Sequence, residues 1–341
     1  MRLVIPAIVA IILVTFVIFL VGLGNLVSMF LKVSNYPEYL LLFLIVYVSA
    51  FFLRAKRLQI IVGEERISYR FYMKILIVSW FVNSIIPIRI GEGVELALLN
   101  SEHDVPIGSA TASVVAAKLF DITALLIVFS GLLFSVGMKL QQEFALEFFY
   151  LLSLGVLLCL LFGIILVALI PDRLNSMIKR GLGRWPKISI ALCSFIDSAS
   201  IASKKIGNSK RKILSLLIIS IPIWMLQGST LFFVSKAVGY NFPIADTMTA
   251  SISAFASMIV PISPGGFGTY ELVAGFLLSI LIVNAPLQTV AIPLAFTEHL
   301  LRQVTILIMG SIATLALGIN FKGLFELTKK HQLTESRPSD S

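Results

Sequence analysis

The sequence predicts an all-α integral membrane protein, with six full transmembrane helices and two re-entrant helical hairpins arranged as inverted repeats. Three observations lead there: long uncharged runs, basic residues confined to a few connectors, and two broken apolar segments that resemble each other. Of 341 residues, 58% are hydrophobic and 13% charged. A soluble domain carries about 25% charged residues. A transmembrane β-barrel would need period-two alternation of polar and apolar residues, which is absent. The net charge of +9 sits in loops, as membrane topology requires, and is no sign of nucleic-acid binding. Cys159 and Cys193 build neither a disulfide framework nor a metal site.

Along the chain, Leu3 to Leu31 holds no Asp, Glu, Lys or Arg. It outruns the roughly 7–15 apolar residues of a signal-peptide core and reads as a retained first span. Leu40–Leu53 marks the second span and Ile122–Gly137 lies in the third, about 107–137. Phe148–Ile170 and Ile213–Ser235 mark the fourth and fifth, and about 287–318 the sixth. A helix needs about 20 mostly apolar residues to cross the hydrocarbon, and several of these runs reach that length with their flanks.

Basic residues cluster at Arg2, in 54–74, in 172–212 and in the tail from Lys322 onward; these hold 21 of the 27 Lys and Arg. The positive-inside rule makes those regions cytoplasmic, so both termini are expected inside a cell membrane. Segments 75–105 and 246–285 must then each enter and leave on one side. Pro87, Arg89, Gly91, Glu92 and Gly93 interrupt the first; Pro261, Pro264, Gly265, Gly266 and Gly268 interrupt the second. Such centres suit re-entrant hairpins; eight or more kinked simple spans are the alternative.

The two units, about 38–137 and 213–318, are internal copies. Each has a span, a broken segment and a long helix opened by proline. Lys118 follows Pro106 by twelve residues, and Glu298 follows Pro286 by twelve. Their orientations are opposite, a recurrent transporter plan. One transmembrane domain covers 1–325. The basic loop 172–212 places Ile188, Ala191, Leu192, Phe195 and Ala199 at helical spacing, expected as a surface helix on an anionic leaflet. A polar tail follows at 326–341.

Charges inside hydrocarbon face a cavity or a partner. The candidates are Arg89, Glu92, Glu95, Lys118, Asp121, Glu271, Glu298 and Arg302. Arg89 beside Gly91 suits a phosphate or stitches the hairpin to a neighbour through a glutamate. The run Pro264-Gly265-Gly266-Phe267-Gly268-Thr269-Tyr270-Glu271 ends a break at a helix start, which attracts anions; the bland alternative is packing. Lys118–Asp121 and Glu298–Arg302, at i,i+3 and i,i+4, read as intrahelical ion pairs, or as headgroup contacts. No cofactor motif, metal-ligand spacing or nucleophile elbow is present. The alternatives to a binding role are a membrane-embedded enzyme using Glu92, Glu271 and Glu298, and a partner subunit of a separate transferase.

Pro87-x-Arg89-x-Gly91-Glu92, Lys118-Leu119-Phe120-Asp121 and above all the Pro264–Glu271 run resemble the membrane region of lysylphosphatidylglycerol synthase/flippase proteins. The resemblance covers nearly the whole chain and includes stand-alone relatives without the soluble aminoacyl-transferase domain. It departs at Ala117-Lys118, where the family commonly has Glu-Arg. It implies the translocating half: a flippase-like protein, not an enzyme, moving a phospholipid or lipid-linked substrate between leaflets.

Overall fold

A computed structural model describes residues 4–86, 90–139, 170–182, 209–258 and 263–319, with Gly155 and scattered residues of 184–201. The described elements are helices. They are α1 Val4–Val21, α2 Leu23–Leu31, a 3-10 turn Lys32–Asn35, α3 Pro37–Val62, α4 Tyr69–Ile85, α5 Gly91–His103 and α6 Ile107–Lys139. There follow α7 Pro171–Gly181, α8 Lys210–Ala237, α9 Ile244–Ser257, a 3-10 turn Pro264–Gly266, α10 Thr269–Leu281, a π turn Leu287–Ala291 and α11 Ile292–Ala316.

Among the described residues, four stretches are long and apolar enough to cross a membrane: Pro37–Val62, Ile107–Leu133, Lys210–Ala237 and Leu287–Ala316. A fifth arises if α1 and α2 count together, but they meet at 86°. The stretch expected as a retained first span is a bent pair of helices. Gly22 makes the bend at φ 85, a backbone region open to glycine at no steric cost. The span expected at 148–170 and the tail lie outside the described residues, as does most of the surface helix expected over 188–199.

Both broken segments are pairs of short helices packed on each other, α4 on α5 and α9 on α10. Their 17 and 13, and 14 and 13, residues give helices of about 20–26 Å, shorter than a hydrocarbon core of about 30 Å. Local chemistry sets the ends. Ser68 caps α4 by accepting from the Phe71 amide, and Ser209 caps α8 by accepting from the Lys212 amide, each satisfying an orphan N–H. Asp104, left-handed at φ 53, ends α5 just before Pro106.

Packing crosses between the halves. α3 lies along α8, α4 against α11, and α6 against α8 and α9. One core unites α3, α4, α5 and α6 with Ile306 and Ala313 of α11. The other unites α8 to α11 with Phe43 of α3 and Met29 of α2. Small residues make the close approaches. Ala112 and Ala116 of α6 and Ala250 and Ala254 of α9 are buried, and Gly228 of α8 accommodates Ile252 of α9. In lipid such residues let backbones meet. Polarity is inverted relative to a soluble protein. Phe19, Val283 and Leu315 are exposed, while Gln227, Thr230, Glu271, Glu298 and His299 are fully buried.

Candidate functional site in the bundle interior

Residues from α3, α4, α5 and α6 enclose a cavity of about 40 Å³, enough for a few waters. Three cations, Arg54, Arg57 and Lys118, and three carboxylates, Glu92, Glu95 and Asp121, line it. Arg57 and Asp121 form a bidentate pair, with Nη1 2.8 Å from Oδ1 and Nη2 2.8 Å from Oδ2. Fork-to-fork geometry of this kind fixes direction as well as charge. Arg57 also donates to Ser220 Oγ, and Trp224 Nε1 donates to Asp121 Oδ1 at 3.1 Å, so α8 closes the network. Lys118 Nζ lies 2.7 Å from Glu92 Oε1, and Asn83 Nδ2 donates to Glu92 Oε2.

Arg54 and Glu95 differ from these pairs. Arg54 is 3% exposed, donates to Gln227 Oε1 and lies between the rings of Trp80 and Trp224 at 4.7 and 5.6 Å. No carboxylate among the described residues is within ion-pair distance of it. Glu95, 4% exposed, lines the cavity with no ion pair among the described residues. A buried charge without a counter-charge is costly. Placed on a cavity, Arg54 and Glu95 can serve a ligand that brings both an anion and a hydrogen-bonding group.

The second cluster lies at the other break. The Gly268 amide donates to Glu271 Oε2 at 2.6 Å, so α10 carries its own carboxylate at the N-terminus, where the helix dipole favours it. An anion expected at that helix start thus meets a site already filled by Glu271. Glu271 Oε1 is 2.6 Å from His299 Nδ1. His299 Nε2 is 3.0 Å from the Gly265 carbonyl and 3.0 Å from Gln303 Nε2. One helical step away, Arg302 Nε lies 2.7 Å from Glu298 Oε1, which also accepts from Thr230 at 2.6 Å. The Arg302 guanidinium sits 4.3 Å from the rings of both Phe255 and Tyr270.

The two breaks touch. The 3-10 turn Pro264–Gly266 packs on α4, and a Cβ on Gly265 would stand 3.3 Å from the Ser84 carbonyl. Gly91 opens α5 so close to α4 that a Cβ there would stand 2.0 Å from the Ser79 carbonyl. Its amide donates to Asn83 Oδ1.

Of the residues expected from the sequence, Glu92, Lys118, Asp121 and Gly91 share the first cluster. Gly265, Gly266, Gly268, Glu271, Glu298 and Arg302 share the second, beside the turn that Pro264 opens. Arg89 and Pro87 lie outside the described residues. Two expectations are corrected. Lys118 and Asp121 do not pair with each other: each takes a partner from another helix, Glu92 and Arg57. Arg54 and Arg57 do not belong to the cytoplasmic loop, because α3 continues to Val62 and buries both. The apolar Leu58, Ile60, Ile61 and Val62 that follow them were the signal. The cavity is lined by residues within 38–137. His299 carried no spacing signal, and among the described residues no group of three His, Cys, Asp or Glu is placed to hold a metal.

Comparison with known proteins agrees with this architecture. The chain is 24% identical over 195 residues to a UPF0104 membrane protein of Methanocaldococcus jannaschii, covering 56% of this chain and 76% of that one. It is 20% identical over 330 residues to the glycosyltransferase AglD of Haloferax volcanii, covering 86% of this chain and 52% of AglD. The chain thus spans about half the length of AglD. No solved structure matches. The model of the lysylphosphatidylglycerol synthase transmembrane region matches residues 5–318, and the chain belongs to that family.

Proposed function

We propose that the chain moves a phospholipid or lipid-linked headgroup between leaflets, as a flippase-like translocase and not as an enzyme. One observation carries the reading: two helix breaks meet inside a bundle that also holds a charged cavity, while α3, α8, α10 and α11 expose apolar side chains such as Leu41, Ile218, Phe276 and Leu315. Charge inside a membrane protein normally marks a substrate or ion path. The contacts of α4 with α11 and of α6 with α9 exchange when the two units are swapped. That supports inverted repeats over about 38–137 and 213–318, with the hairpins dipping from opposite leaflets and both termini cytoplasmic.

Arg54 holds the phosphate in the cavity, beside the Arg57–Asp121 and Lys118–Glu92 pairs, and the acyl chains stay in lipid. Arg89, between Pro87 and Gly91 in the sequence of the first break, adds a second guanidinium for the phosphate. The present cavity admits a few waters, so the described arrangement is the closed state, and rocking of one unit on the other opens it. Membership in a family named for a phospholipid synthase supports a phospholipid cargo. The relative named as a glycosyltransferase widens the candidates to lipid-carried sugars.

The test is transbilayer exchange of fluorescent lipids in liposomes containing the purified chain. Exchange above protein-free liposomes is expected, with at least a tenfold loss in Arg54→Gln and Arg89→Ala at unchanged lipid mass. Absence of exchange for phospholipid and polyprenyl-phosphate lipids alike overturns the proposal. A change in lipid mass supports instead a headgroup enzyme, for which unpaired Glu95 is the available acid or base.

A further inference from the structure

The His299 ring has two possible partners, and one proton selects between them. Nε2 is 3.0 Å from the Gly265 carbonyl, which only accepts, and 3.0 Å from the Gln303 amide nitrogen, which only donates. Gln303 is held in that sense because its amide also donates to the Gly265 carbonyl at 3.1 Å. A protonated Nε2 satisfies Gly265 and opposes Gln303. A bare Nε2 accepts from Gln303 and opposes Gly265. It cannot satisfy both. Nδ1 faces Glu271 Oε1 at 2.6 Å and keeps its proton either way, since Glu271 Oε2 is already accepting from Gly268.

Charged and titratable neighbours come from two helices. On α10 they are Glu271 and Tyr270, whose ring centroid is 4.8 Å away. On α11 they are Glu298 and Arg302, which pair with each other. The break stacks Phe267 on the imidazole at 4.6 Å, and a ring face favours a cation. Uncharged groups complete the surroundings: Ser251 and Phe255 of α9 against Tyr270, Leu13 of α1 against Gly268, and the Ser84 carbonyl of α4 against Gly265.

We propose that His299 is a proton-binding latch on the second break. With a proton on Nε2, the imidazolium–Glu271 pair ties the Gly265 carbonyl to α11 and fixes the second break against Ser84 of the first. Loss of that proton turns the ring to Gln303 and loosens the break, because the Gly265 carbonyl is then held to α11 by Gln303 alone. Because Gly265 is where the breaks meet, proton binding couples to movement of the cavity, and a proton is the co-substrate of translocation. This second half rests on the translocase reading; the latch itself does not.

Hydrogen exchange of the segment 263–268 tests the latch in the purified full chain, from pH 5.5 to 8.5, corrected for intrinsic exchange. Protection is expected to fall at least tenfold as pH rises, and to be flat in His299→Gln. Should that variant fold poorly, Gln303→Leu decides: it removes the neutral ring's partner, so the transition must move to higher pH. Flat protection in the native chain, or a transition unchanged in both variants, overturns the latch. Coupling is read from lipid exchange under an imposed pH gradient, which must alter the native rate and not the His299→Gln rate. A latch that titrates with exchange indifferent to the gradient overturns coupling and leaves the translocase intact. Absence of exchange under every condition overturns the translocase and the coupling with it, while hydrogen exchange still judges the latch.

Discussion

Arg57 of α3 and Asp121 of α6, 64 residues apart, lie fork to fork with both N–O distances at 2.8 Å. The pair pins two long helices at the level of the cavity, and Trp224 and Ser220 bind its outer edges from α8. Removing one member strands the other. Arg57→Met is expected to lower stability by about 3 kcal/mol, the lower end for breaking a buried pair, because Asp121 is 18% exposed. Arg57→Met with Asp121→Leu is expected to recover most of the loss. Unfolding midpoints of the purified chain in one detergent check this. A double variant less stable than the single would show that the pair contributes more than charge compensation.

Arg54 sits between Trp80 and Trp224, and the third tryptophan, Trp185, is exposed. A phosphate binding Arg54 therefore acts on the emission of the two inner rings. In a Trp185→Phe background, titration with a short-chain phospholipid is expected to change tryptophan emission saturably. Arg54→Lys keeps the charge but loses the planar fork and ring stacking, so affinity should fall about tenfold with little change in fold. Equal affinity in Arg54→Lys would remove Arg54 from the headgroup site.

How much was legible follows from which interactions are local. The breaks were readable because proline and glycine punctuate apolar runs, and the structure ends α4 at Ile85 and reopens α5 at Gly91. Glu298–Arg302 was readable because i,i+4 partners share a helix face. Lys118–Asp121 misled for the same reason: spacing allowed the pair, but Glu92 and Arg57 offered better geometry from helices that sequence does not align. Arg54 and Arg57 looked like loop residues because charge usually ends a span. The Gly22 bend was hidden in an uninterrupted apolar run, and the His299 conflict exists only once three separate segments converge.

Glycine chemistry separates close packing from mere helix content. A Cβ on Gly91 would stand 2.0 Å from the Ser79 backbone, whereas one on Gly108 would meet nothing within 4 Å. Gly91→Ala must push α5 off α4 and is expected to cost about 1–3 kcal/mol, as overpacking does. Gly108→Ala is expected to be neutral or to stabilise by up to about 1 kcal/mol, through helix propensity. Melting midpoints of the two variants side by side decide it; similar values would mean the hairpin is not packed as described.

The meeting of the breaks can be locked. Gly265 approaches Ser84 closely enough that a Cβ would stand 3.3 Å from the Ser84 carbonyl. Cysteines at 84 and 265, in a background with Cys159 and Cys193 replaced by serine, are therefore expected to be joined by a short reducible bis-methanethiosulfonate crosslinker, which does not demand the Cβ geometry of a direct disulfide. Gly265 has φ 59, so a side chain there costs about 1 kcal/mol, which the fold can bear. If rocking of the units opens the cavity, the crosslink must abolish lipid exchange and reduction must restore it. Single cysteines control for the substitutions themselves. A crosslink that forms fully yet leaves exchange at the native rate would mean that the breaks stay together during transport. The moving element would then have to be sought among α5 and α6, around Glu92 and Lys118. Failure to crosslink at all would separate the two breaks and remove the structural ground on which the transport reading stands.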